Sequence, residues 1–152
     1  MKSISHSRRG FTLIELLLVI GIIAILASIV IIAINPTRQL GSARDAQRRS
    51  DVNTILNAVY QYAIDNNGAM PDTIPATALA ICKYPTAAGC TATVGVDLSS
   101  LVGNYLVNIP SDPQATATDV TTLYTISKDA TTNRITVAAT PEVSTTPISV
   151  TR

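Results

Sequence analysis

The sequence predicts an α+β protein: a long N-terminal α-helix, membrane-spanning in its first half, packed against a small antiparallel β-sheet head. Three observations carry this. From Phe11 to Ile34 the chain is apolar and only Glu15 is charged. As a helix that run extends roughly 36 Å, enough to cross a hydrocarbon core of about 30 Å. Val52, Ile55, Leu56, Val59, Tyr62 and Ala63 then repeat at the spacing of one helical face, a stripe that needs a second layer to cover it. Finally, Leu123–Ser127 and Arg134–Ala138 read as strands around the turn-rich segment Lys128–Asn133, a hairpin of about 123–138.

Taken in order, residues 1–10 read as a leader without structure of its own, carrying Lys2, Arg8 and Arg9. A secretory signal would have a shorter apolar core followed by small residues at its cleavage site, and neither is present. Arginines also follow the apolar run, so counting Lys and Arg alone does not orient it. Within residues 11–34 the small residues Gly21, Ala24, Ala27 and Ser28 would permit close helix approach. A lone carboxylate such as Glu15 is costly in this setting and marks function.

Pro36 removes a backbone donor and should kink or locally open the helix. The helical pattern nevertheless runs over residues 11–67, with Asn66-Asn67-Gly68 as the stop and either Asn67 or Gly68 able to take the left-handed cap. Asp45 and Arg49 have the spacing of a favourable helical pair. Arg38, Arg44, Arg48 and Arg49, with Asp45 and Asp51 interleaved, read as a solvated or subunit-facing surface without the aromatic platform that nucleic-acid stacking requires.

The head spans 68–152. Thr77 to Ile81 suggests a helical turn, and Leu98 to Val102 a short helix capped by Asp97 or Ser99. Cys82 and Cys90 flank a loop containing Pro85 and Gly89 and lack a nearby His, which is too little for a zinc site. A disulfide is the better reading, two small buried thiols the other, and a disulfide would require an oxidising compartment. Pro141 and Pro147 make Thr140 to Arg152 a Ser/Thr/Pro-rich C-terminal tail or an edge strand.

Much chemistry is excluded. From Asp51 onward eight acids stand against four bases, so no basic nucleic-acid surface is written into the head. The sole histidine, His6, lies in the leader, and neither a P-loop nor a dinucleotide turn is present. No catalytic residue and no cofactor are expected. Calcium at Asp112, Asp119 and Asp129 is the one metal alternative, against the reading of solvated loop acids, and the spacing lacks EF-hand character.

Arg9-Gly10-Phe11-Thr12-Leu13-Ile14-Glu15 resembles the processing site of type IV pilins and type II secretion pseudopilins. The resemblance implies cleavage by a prepilin peptidase after Gly10 and N-methylation of Phe11. It implies assembly of the apolar helices into a filament, where Glu15 pairs with the amino group of Phe11 on a neighbouring subunit, Thr12 assisting through its hydroxyl. Tyr105-Leu106 and Ile109-Pro110-Ser111-Asp112-Pro113 are similar to the segment that leads into the sheet of pseudopilins and their Gram-positive relatives.

The same resemblance implies a structural subunit and not an enzyme. The expected partners are copies of itself, the peptidase, an inner-membrane assembly platform with its ATPase, and membrane lipid before assembly. DNA enters only in a competence-type role. The expected location is the inner membrane with a cytoplasmic N-terminus and the head outside, then a periplasmic or cell-surface filament. A type II secretion major pseudopilin is the alternative within the family, supported by the lack of a long C-terminal disulfide loop. Outside it, the alternative is a signal-anchored membrane protein with a small binding head.

Overall fold

The computed structural model describes residues 10–85 and 88–152, so the leader reading of Met1 to Arg9 lies outside the described residues. The chain falls into two compact units, one ending at Gln39 and one running from Leu40 to Arg152.

In the first unit, helix α1 spans Leu13–Ile34 and buries none of its residues. It is long and apolar enough to cross a membrane. The helical stretch expected over 11–67 is divided at Asn35, which adopts φ 45°, ψ 77°. Pro36 then takes the first position of helix α2, Pro36–Asp65. Both choices follow from backbone physics: Asn tolerates the left-handed conformation that ends a helix, and proline's missing N–H costs nothing in a first helical turn. Asn35 also accepts from the N–H groups of Arg38 and Gln39 and from the Thr37 hydroxyl, so it closes one helix and opens the next.

The second unit packs a five-stranded sheet against α2. Its strands are β1 (Leu79–Cys82), β2 (Gly95–Val96), β3 (Thr121–Lys128), β4 (Ile135–Ala139) and β5 (Ile148–Thr151). Their order is β2-β1-β3-β4-β5, antiparallel except for the β1–β2 pair. This is the predicted α+β, pilin-like arrangement. The helical stripe is buried as expected: Val52, Ile55 and Val59 are fully covered and join Tyr124, Ile126, Ile135 and Val137 in one core. Those sheet residues sit at alternate positions of β3 and β4, the period that puts every second side chain on the helix side.

Helix α2 stops where the sequence says. Asn67 and Gly68 both take positive φ, and the Gly68 N–H returns to the Ala63 carbonyl at 2.7 Å. The expected hairpin pairs Thr125 with Ala138 through Lys128 with Ile135. Its turn is closed by Asp129, whose carboxylate accepts from the N–H groups of Thr131 and Thr132.

Three expectations change. Leu79–Cys82 is a strand and not part of a helical turn, because residues 79–82 find partners on β3. Ser99–Leu101 is a single 3-10 turn whose N-cap residue is Leu98, although Asp97 still accepts from the Ser99 N–H at 2.8 Å. Of its two expected forms the C-terminal segment takes the edge strand, β5, with Pro147 just outside it where no ladder donor is lost. The third change concerns the arginines of α2, one of which is buried by the head's loops.

Between the Ala80–Thr125 and Cys82–Thr121 pairs β3 carries two extra residues. Leu123 bulges there at φ 67° while Thr122 turns inward and donates to the Ile81 carbonyl at 3.1 Å.

Candidate functional site

The N-terminal segment is the first candidate. Thr12 stands in extended conformation as N-cap of α1 and forms a reciprocal capping box with Glu15. The Thr12 N–H and hydroxyl donate to Glu15 Oε2 at 2.8 and 2.9 Å, and the Glu15 N–H donates back to Thr12 Oγ1 at 3.3 Å. In this way the box satisfies two of the donors that a helix start leaves open. The carboxylate therefore has a use inside its own chain.

Ahead of the box, Phe11 is 83% exposed and a Cβ placed on Gly10 would meet nothing within 4 Å. The junction is open to an approaching protein. Beyond it, the Ser28 hydroxyl donates to the Ala24 carbonyl at 2.9 Å, satisfying a polar group without leaving the helix. Every large apolar side chain of α1 is about half exposed or more. A 22-residue helix of this kind is not stable facing water and requires lipid or other apolar helices around it.

An apolar helix behind a glycine junction, on a chain with an α+β head, is consistent with one class: membrane-anchored precursors. Residues 5–33 match the family model for the prokaryotic N-terminal methylation motif. The chain thus carries the prepilin-peptidase signature of type IV pilins and pseudopilins, a family of structural subunits processed by that peptidase and assembled into filaments. No curated protein and no solved structure matches it.

A second cluster lies in the head and overturns, for Arg48, the reading of the arginines as a solvated or subunit-facing surface; Arg38 and Arg49 are exposed. Arg48 is 2% exposed. Its guanidinium donates to both oxygens of Asp112 at 2.6 and 2.9 Å, to Asp45 Oδ1 at 2.8 Å and to Gln114 at 2.7 Å. Asp45, expected to pair with Arg49, instead accepts from three successive backbone N–H groups, those of Glu142, Val143 and Ser144, at 2.8–2.9 Å. Arg44 clasps Glu142 through two bonds, and Arg49 reaches the Ser144 hydroxyl. Two loops distant in sequence are thereby fastened to α2.

Gly41 allows the loop at 142–143 its approach: a Cβ there would sit 2.3 Å from Val143 Cγ2. One turn past the cluster, the buried Tyr124 hydroxyl donates to Asp51 at 2.7 Å. The sequence did contain a signal. Gly41, Asp45, Arg48, Val52, Ile55 and Val59 follow one another at helical spacing, so the apolar stripe extended backward runs through the charged residues.

Burial alone would push the Asp45 carboxyl up, but the three backbone donors and Arg48 overcome this and hold it well below the usual range. For Asp112 burial likewise acts upward, and its bonds to Arg48 and to the Gln114 N–H bring it below normal. Arg48 is raised by the same bonds to Asp112 and Asp45, despite burial.

Carboxylates depressed on folding contribute stability that is complete above their unfolded value. It is lost as pH falls through the folded value, so the head should weaken below about pH 4. Asp45→Asn should flatten that acid limb in thermal melts of the full chain in detergent. An acid limb parallel to the parent's would contradict the assignment to Asp45.

Cys82 and Cys90 are joined as a disulfide, with their Cα atoms 6.1 Å apart. Of the acids weighed for calcium, Asp112 is committed to Arg48, Asp119 binds the Thr116 N–H and hydroxyl, and Asp129 closes its own turn. The structure does not bring these three together, and no group of three or more metal-ligating side chains occurs among the described residues.

Proposed function

We propose that this chain is a structural subunit of a type IV pilus-like filament, cleaved after Gly10, methylated on Phe11 and assembled through α1. The observation that carries the reading is the coincidence of the methylation motif with a helix whose apolar residues all remain uncovered. Before assembly the helix is held in the inner membrane with its N-terminus in the cytoplasm and the head outside. After assembly, neighbouring copies replace lipid around it.

In that packed core Glu15 faces the freed amino group of Phe11 on the next subunit. A charge of either sign left unpaired in such a medium costs several kcal/mol, on the order of 3–5, so pairing fixes the axial register. The disulfide supports a head that matures in an oxidising compartment. No catalytic role, bound metal or cofactor is proposed, and DNA is a partner only if the filament serves uptake.

Processing is tested first. Gly10→Val should leave the precursor uncut on a gel when the prepilin peptidase is co-expressed, because a β-branched side chain blocks the close backbone approach that glycine allows. Normal processing of that variant would remove the central step.

A type II secretion pseudopilin is the second reading. The structure's one disulfide among the described residues spans residues 82–90, and the C-terminal segment is held by β5 pairing and by Asp45, without a disulfide loop. Neighbouring genes for a secretin and its export partners, against those for a retraction ATPase, separate the two.

A further inference from the structure

The disulfide and the edge strand beside it form a unit separate from the N-terminal segment and from the Arg48 cluster. Cys82 ends β1 and is 1% exposed, whereas Cys90 is half-buried and lines a cavity of about 340 Å³. Asp72, Pro75, Thr91 and Gly95 form other parts of its wall. β2 is only two residues long and is the outermost strand on that side. A Cβ on Gly95 would lie 2.9 Å from the Cys82 sulfur, 3.4 Å from the Cys90 sulfur and 2.8 Å from the Ala80 carbonyl oxygen. The backbone of β2 therefore rests directly on the sulfur bridge. Val96, Leu98 and Leu101, just beyond, are in the core. So short a strand has too few ladder bonds to hold itself in place, and closing the chain between β1 and β2 limits how far it can stray.

We propose that Cys82–Cys90 is a thiol–disulfide exchange site entered through this cavity at Cys90, and that its closure docks β2 and completes the sheet edge. An incoming thiolate bonds to the Cys90 sulfur, and the electron pair of the old bond leaves on the Cys82 sulfur, which takes up a proton. The attack goes to Cys90 because Cys82 is covered. By microscopic reversibility, oxidation ends through the same mixed disulfide. Cys82 loses its proton, attacks the Cys90 sulfur and expels the small thiol. The overall balance is two protein thiols and one disulfide oxidant giving the protein disulfide and two small thiols.

The oxidised full-length protein in detergent micelles tests this directly. After brief exposure to 2-mercaptoethanol, quenching with N-ethylmaleimide and peptide mapping, the mercaptoethanol adduct should sit on Cys90 over Cys82 by at least about tenfold. Equal labelling, or preference for Cys82, overturns the entry site. After full reduction, hydrogen exchange of the amides at 95–98 should quicken at least about tenfold while those of paired β3 and β4 residues 125–127 and 136–138 stay within about twofold. Unchanged protection at 95–98, or loss across the whole sheet at once, overturns the docking role.

Discussion

Arg48→Ala should destabilise the head by about 3–5 kcal/mol, the loss expected when one partner of a buried ion pair is removed. The reason lies less in the worth of the pair than in what truncation leaves behind. Asp112 loses two charge-assisted bonds and the cation that makes them, and Asp45 keeps its backbone donors but loses the Arg48 charge beside it. Both carboxylates sit where water reaches them poorly, Asp45 at 2% and Asp112 at 7% exposure.

Against a total stability of about 5–15 kcal/mol for an ordinary domain, such a loss is large. Arg48→Lys should recover only part of it. An ammonium cannot present the fork that meets both oxygens of Asp112 while also reaching Asp45. Urea melts of the full chain in detergent, followed by the tyrosine signal, give the comparison. A loss below about 1 kcal/mol for the alanine variant would mean that the cluster is solvated in solution, as an exposed ion pair is.

That cluster also shows where sequence reading reaches its limit. The stripe from Val52 to Ala63, the Asn67–Gly68 stop and the β3–β4 hairpin were legible because each is written within one short stretch of neighbouring residues. Arg48 was misread because its partners lie elsewhere: Asp112 is 64 positions away, and the donors to Asp45 come from 97 to 99 positions away. Taken alone, an Arg among Asp residues on a helix looks like a solvated face. Only its phase with Val52 and Ile55 argues otherwise.

The strands that went unseen fail for a related reason. β2 has two residues and β1 is the apolar Leu79–Cys82 without alternation; β5, read only as the alternative to a tail, follows a proline. No periodicity can develop over such lengths. At the N-terminus the position was the reverse. Gly10, Phe11 and Glu15 stood out by motif, yet the bond geometry that gives Glu15 a role within its own chain depends on Thr12 acting as a cap. A motif names the residues without stating which of their two uses applies at a given stage.

Glu15 is where those two uses can be separated, and the expected effect is large. Glu15→Leu should insert and be cleaved, because neither an apolar helix nor the Gly10 junction depends on the carboxylate. It removes the capping box with Thr12, which at about 0.5–2 kcal/mol frays the first turn. Under the proposed packing it also leaves the Phe11 amine of a neighbour without a counter-charge among apolar helices. At about 3 kcal/mol or more per interface, that loss corresponds to more than about a hundredfold in subunit affinity.

Glu15→Gln divides the two. A glutamine at this position can still accept from the Thr12 N–H, so the box survives while the charge is gone. If charge pairing governs assembly, both variants should be processed normally and both should fail to yield sheared filament. If the cap governs it, Glu15→Gln should assemble like the parent and only Glu15→Leu should fail. Parental filament yield from both variants would leave the carboxylate without either role in assembly.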